Sequence, residues 1–265
     1  MNTMLYSDYN KIVLKIGSSL IAPTGNGCSV KYTLPIAQFI QQCQSDGKPL
    51  ILVSSGSIAA GRNQIEIQDE HPTVAQKQAM AAVGQYSMME NWKRFFDKPC
   101  AQLLVTHAEL KDQICRGNIN NTINELLTNQ ILPIINENDT VATEELKVGD
   151  NDRLAAMIAV LTQADLFMIG SDVDGLYSGD PNIDDNVKHI PHVEKITEDI
   201  ISAAGDTNNR LATGGMRTKL EAATTAMQNN IPTILFKASD ASNFQKFLHG
   251  QNIGTLFQTM QTPKT

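Results

Sequence analysis

Two lysines and a run of acids and amides carry the first signs of chemistry in this sequence. Lys15 follows the apolar run Ile12-Val13-Leu14 and precedes Ile16-Gly17-Ser18-Ser19. A lysine inside an apolar run is costly to bury unless it meets an anion. Gly17 lets a backbone approach a ligand closely, and the small Ser18 and Ser19 leave donors pointing outward. The plainer alternative is a strand end whose lysine snorkels to water. Lys219 closes Thr213-Gly214-Gly215-Met216-Arg217-Thr218-Lys219. Glycines, a hydroxyl and a lysine opening a helix have the composition of a phosphate cradle, because free N–H groups and the positive dipole end both favour an anion. The segment is not a Walker A loop, since G-x-x-x-x-G-K-[ST] occurs nowhere in the chain. A glycine linker ahead of an amphipathic helix is the alternative.

Four further segments share this character. Ser54-Ser55-Gly56-Ser57-Ile58-Ala59-Ala60-Gly61 leads into a helix with small residues, as an anion-binding N-terminus does or as an ordinary turn does. Asn136-Glu137-Asn138-Asp139-Thr140 puts polar groups in a row after an apolar run, suited to an amino acid's ammonium and carboxylate or simply to solvent. Gly149-Asp150-Asn151-Asp152 opens a helix; a carboxylate in the first turn favours the dipole. Capping accounts for one acid there, not for two acids and an asparagine. The stretch from Gly170 to Pro181 reads as a long polar loop able to cover a nucleotide. Its D-x-D-G start lacks the remaining spacing of a calcium loop.

These segments need elements to hold them. Apolar runs of strand length fall at 12–14, 50–53, 103–105, 131–135, 166–169 and 234–236, continuous rather than alternating, as in strands covered on both faces. Pro49, Pro99, Pro133 and Pro232 stand near their starts, where a missing N–H is tolerated. Helix-like stretches lie between, among them 150–164, with Asp150 or Asn151 as N-cap, and 216–229. Alternating strands and helices imply an α/β fold, a three-layer αβα sandwich around a mainly parallel sheet. Ligands of such sheets sit at the carboxyl ends of strands, which is where the unusual segments fall.

Bulk composition narrows the classes. The chain has 265 residues, enough for a sizeable core. Its net charge of -7 disfavours nucleic acid. The four cysteines, Cys28, Cys43, Cys100 and Cys115, form no C-x-x-C pair, so a disulfide framework or zinc site is not expected and a cytoplasmic setting is. The opening MNTMLYSDYN is polar, so a secretory leader is not expected, and no run reaches the length of a membrane span. His189 and His192 lack partners for a metal site, and Met88, Met89, Trp92, Phe95 and Phe96 read as core or subunit contact.

Taken in order, the segments KIGSS, VSSGSIAAG, KQAMAAVGQ, INENDTVAT, VGDND, SDVDGLYSGDP and TGGMRTKLEAA resemble the amino acid kinase family across residues 11–257. NEND followed by GDND, SDVDGLY and TGGMRTK is specific in combination and is similar to the members that phosphorylate free glutamate. The resemblance implies ATP-dependent formation of L-glutamyl 5-phosphate, the first step towards proline. Lys15 and Lys219 would contact phosphate and Asp152 would orient them. Ser55, Asp139 and Asn151 would bind glutamate, with Gly56 and Asn136 beside them. Lys15, Gly17, Ser18, Ser171, Asp172 and Thr213 through Lys219 (Thr213, Gly214, Gly215, Met216, Arg217, Thr218) would hold ATP. Mg²⁺ would accompany ATP with no direct protein ligation expected.

The same resemblance implies one catalytic domain over 1–265, its amino-acid part roughly 1–165 and its nucleotide part roughly 166–265. Many such members add a C-terminal PUA-type module, which is expected to be absent here. A homo-oligomer, dimer or tetramer, and feedback by proline are also implied. Ser171-Asp172 stands where the family has Thr-Asp, Ala212 precedes Thr213 where the family has glycine, and Lys237-Ala238-Ser239 replaces a glycine-bearing turn, leaving nucleotide preference open. Other members (N-acetylglutamate or aspartate kinases) and a non-catalytic ATP or amino-acid sensor are the alternatives.

Overall fold

The computed structural model describes residues 5–258 apart from 26, 68–70, 142–150, 180, 182, 185 and 204–214. The sequence readings on Gly149, Asp150, Asp180, Ala212, Thr213 and Gly214 therefore lie outside the described residues.

The apolar runs become the strands of one sheet. They are β1 (Ile12–Ile16), β2 (Leu50–Ser54), β3 (Cys100–Val105), β4 (Leu132–Glu137), β5 (Leu166–Ser171) and, later, β9 (Thr233–Lys237). Three two-residue strands lie between the last two: β6 (Leu176–Tyr177), β7 (His189–Ile190) and β8 (His192–Val193). With β10 (Gly254–Phe257) the order across the sheet is β3-β4-β2-β1-β5-β9-β10-β8, and β6 pairs with β7 apart from it. From β3 to β9 every pairing is parallel; β10 runs antiparallel to β9.

Ten helices are described. Those on the first half are α1 (Ser18–Ile21), α2 (Val30–Ser45), α3 (Ser57–Gly61), α4 (Val74–Lys93), α5 (His107–Lys111) and α6 (Gln113–Thr128). The others are α7 (Asn151–Leu161), α8 (Glu198–Ala203), α9 (Met216–Gln228) and α10 (Ser242–Leu248). Side chains alternate across a strand, and β1 divides accordingly. Ile12, Leu14 and Ile16 pack with Ile36, Phe39 and Ile40 of α2, Met88 and Trp92 of α4, and Phe244 and Phe247 of α10. Val13 faces the other side, with Leu154 and Ile158 of α7 and Leu220 and Ala223 of α9. This is the expected αβα sandwich. Met88 and Trp92 are core, and Met89, Phe95 and Phe96 pack on its margin.

The strand boundaries differ from the sequence reading at both ends of the chemistry. Asn136 and Glu137 belong to β4 rather than to a loop after it, and Ser171 belongs to β5. Asn136 reaches Gln85 of α4 and Ser171 bonds Asp172, so in-strand burial is compatible with hydrogen bonding. The polar loop after β5 is interrupted by β6, which pairs with β7. Helix α7 is described from Asn151 onward. The short strands and β10 escaped the sequence reading because two to four residues give too little periodicity.

The sheet reverses its build direction at β1. The chain first adds β2 on one flank and later β5 on the other. Loops diverge at such a switch point and leave a crevice at the carboxyl ends. The segments after β1, β2, β4 and β5 all open there.

Candidate active site

Lys15 lies between Val53 and Ile169 in the middle of the sheet. Being two residues from Val13, it projects to the α7–α9 face. There it meets Asp152, in the first turn of α7, and its Nζ pairs with Oδ1 of that carboxylate. Lys219, in the first turn of α9, reaches the other oxygen at 3.2 Å. Thr218 Oγ1 donates to the same Oδ2 at 3.3 Å. Asp152 is fully buried and both lysines are nearly so. Both ammonium groups thus converge on one buried carboxylate, inside a protein that is acidic overall.

The packing of α7 on α9 makes this meeting possible. Ala155, Ala159, Ala222, Ala223 and Ala226 are completely buried and lie in one cluster. Small side chains there let the two helix starts approach each other. Gly215, extended at φ -66°, is the N-cap of α9 and offers no side-chain cap, so N–H groups of the first turn are left to other acceptors. Met216 and Arg217 follow in that turn, and Arg217 Nε bonds Glu221 on the helix surface at 3.3 Å.

A chain of amides extends from the ion cluster. Asn151 Nδ2 donates to Ser54 O at 3.1 Å and to Asn136 Oδ1 at 2.6 Å. Asn136 Oδ1 also accepts the Glu137 N–H at 2.9 Å, and Asn136 Nδ2 donates to Gln85 Oε1 at 2.8 Å. Further out, Ser57 Oγ donates to Asp139 Oδ2 at 2.7 Å. A cleft of about 330 Å³ opens beside this chain, lined by Ser57, Gln85, Gln102, Glu137, Asp139 and Thr140 among others. A larger cavity, about 530 Å³, lies near the opposite ends of the strands around Asp8, Gln163, Asp165 and Asn229. It contains none of the groups just described.

Glycine shapes the cleft's walls. Gly56 holds φ 101°, a conformation that side chains rarely adopt, and a Cβ there would lie 3.2 Å from Ile21 Cβ. It lets β2 turn directly into α3. Gly84 and Gly61 bring α3 and α4 into backbone contact: a Cβ on Gly84 would fall 1.8 Å from Ser57 O, and one on Gly61 2.0 Å from Met80 O.

The residues that the resemblance assigns to ATP lie around the end of β1 and along β5. Gly17 N donates to Gly170 O at 3.3 Å, joining the residue after β1 to the end of β5. Ser18 starts α1 beside it. Ser171 Oγ donates to Asp172 Oδ1 at 3.1 Å. Ala238 is core, and its methyl would be 2.9 Å from a Cβ on Gly170; Lys237 is exposed. Thus the structure brings together Lys15, Asp152, Lys219, Asn151 and Asn136, and places Asp139 along the same cleft. Ser55 forms the turn after β2, its N–H donating to Ile16 O at 3.1 Å.

Ser57, Gln85 and Gln102 of the cleft were not singled out by sequence reasoning. Ser57 was signalled only by its place in the S-S-G-S run. Gln85 was signalled only as the end of KQAMAAVGQ, with no chemistry attached.

Comparison with known proteins shows the family and the fold. Residues 10–237 match the amino acid kinase family. A glutamate 5-kinase of Idiomarina loihiensis is 50% identical over 255 residues, which is 96% of this chain and 69% of that protein. One from Salinibacter ruber is 45% identical over 265 residues, 99% of this chain and 70% of the relative. In three dimensions the UMP kinase of Bacillus anthracis superposes with a TM-score of 0.62 at 14% identity, covering 96% of this chain and 97% of that one; it shares the fold.

Proposed function

The chain belongs to the amino acid kinase family, and on that premise we propose that it transfers the γ-phosphoryl group of ATP to the γ-carboxylate of L-glutamate, the step that opens proline synthesis. The observation that carries the reading is the buried cluster of Lys15, Asp152 and Lys219 at the carboxyl ends of the strands.

A γ-carboxylate is ionised at neutral pH, so it attacks the γ-phosphorus without a general base. One carboxylate oxygen forms the new O–P bond as the bond to the β,γ-bridging oxygen breaks, and ADP leaves with the electron pair. The work left to the protein is alignment and charge neutralisation. Lys15 and Lys219 neutralise the transferring phosphoryl oxygens, and Asp152 fixes where both ammonium groups point. The N–H groups of Ser18 and of Gly215 through Thr218 receive the phosphates, Gly17 leaves room for their approach, and Thr213 and Gly214 complete that segment. Ser171 and Asp172 face the nucleoside. Ser55, Gly56, Asn136, Asp139 and Asn151 hold the amino acid.

Among the described residues no three His, Cys, Asp or Glu side chains form a metal-holding group. Mg²⁺ would be carried on the phosphates of ATP, where it would supply further neutralisation. In this reading the amino acid is held mainly by residues 1–165 and the nucleotide mainly by 166–265, with the segment Lys15 to Ser18 reaching the phosphates. No described helix is long and apolar enough to cross a membrane; the substrates are cytoplasmic metabolites, and we place the enzyme there. A dimer or tetramer inhibited by proline belongs to the same reading.

ADP release with glutamate, ATP and Mg²⁺, with hydroxylamine trapping of the acyl phosphate, tests it. Parallel assays replace glutamate by N-acetylglutamate or aspartate, or add proline. Turnover with another acid but not glutamate overturns the substrate, and nucleotide binding without turnover on any acid overturns the activity.

A further inference from the structure

Gln85 is a buried side chain that the reaction described above does not use. It sits on α4, 6% exposed, and it lines the cleft beside Asn136. Backbone groups determine how its amide is turned. Ser54 O can only accept, so Asn151 presents Nδ2 to it; the Glu137 N–H can only donate, so Asn136 presents Oδ1 to it. Asn136 must then offer Nδ2 to Gln85, which answers with Oε1. The remaining Gln85 atom, Nε2, is a buried donor with no acceptor in hydrogen-bond reach among the described residues. A buried donor without a partner is costly and is rare in native proteins.

We propose that Gln85 Nε2 donates to the α-carboxylate of the amino-acid substrate, so that Gln85 is a further substrate-binding residue. This rests on the assignment of glutamate as substrate. The γ-carboxylate must lie near Lys15 and Lys219. Gln85 is removed from that cluster by two hydrogen-bonded side chains, Asn136 and Asn151, so the other end of the substrate lies near it. Glu137 and Asp139, which line the same cleft, suit the ammonium group. An α-carboxylate placed among those acids needs a donor, and the Ser57 hydroxyl is already given to Asp139.

Gln85→Glu is the discriminating variant. It keeps an acceptor for Asn136 Nδ2, so the amide chain survives, but it replaces the donor with a charge that repels a carboxylate. Glutamate KM is expected to rise about tenfold or more, the scale of one hydrogen bond to a charged group, while ATP KM stays within about twofold and thermal melting confirms a folded protein. Should Gln85→Glu not fold, Gln85→Met removes the donor at similar length, and the same glutamate-specific rise is expected. An unchanged glutamate KM in a folded variant, or an equal rise in both KM values, overturns the proposal. Absence of glutamate turnover in the unmodified enzyme would instead overturn the substrate assignment, and that assay is run first.

Discussion

Lys219 Nζ lies 3.2 Å from Asp152 Oδ2, a contact between the first turns of two helices that the chain reaches more than sixty residues apart. Both groups are buried, so the pair is shielded from salt and held by packing rather than by side-chain chance. It places an ammonium group at the helix start where phosphate is expected.

The first prediction follows from that placement. Lys219→Ala should lower kcat by about 10²-fold or more, the scale of a lost charge stabiliser acting in the transition state. Steady-state kinetics at saturating glutamate and ATP measure it. Near-normal turnover would remove Lys219 from the chemistry.

Asp152 makes a different prediction. Replacing it with Asn removes the buried carboxylate charge that both Lys15 and Lys219 contact. Breaking a buried ion pair by removing one partner costs about 3–5 kcal/mol. Chemical denaturation of Asp152→Asn should show a loss of that size, and ATP, whose phosphates bring back negative charge, should recover part of it. Wild-type stability without ligand would contradict the role given to the cluster.

For Asp139→Ala the expected change lies in glutamate KM. Asp139 is held by Ser57 at 2.7 Å on the wall of the cleft, so its loss removes binding made equally in ground and transition states. An effect on ATP KM alone would place Asp139 on the wrong substrate.

Gly84→Ala tests the walls themselves. The new Cβ would lie 1.8 Å from Ser57 O, a backbone atom that cannot rotate away. Helices α3 and α4 would have to separate, at about 1–3 kcal/mol for overpacking. Because α3 carries Ser57 and α4 carries Gln85, glutamate KM should rise together with the drop in melting temperature. Unchanged melting would mean that the two helices are not in contact in solution.

The central strands were legible because each is a continuous apolar run closed by small and polar residues, and burial on both faces demands that pattern. Lys15 was legible as an anomaly within such a run. The short strands β6, β7 and β8 were not, and neither was the extension of β4 through Asn136 and Glu137. Amides after an apolar run look the same whether they continue a strand against a polar neighbour or leave it for solvent. Gln85 was invisible for a related reason: a glutamine on a helix carries no periodic signal, and its importance comes from Asn136 on another element.

By itself the sequence determined which residue types stand at which strand ends, and in what order, because strand, turn and helix preferences act over a few neighbouring residues. That was enough for the fold class and for the set of loops that face one edge of the sheet. Only the tertiary structure decided which of those groups meet. The addition of β5 to the far flank of β1, and the close packing of α7 on α9, bring Lys15 and Lys219 to the two oxygens of Asp152. Long-range geometry of that kind depends on sheet order and helix packing, which local sequence does not encode.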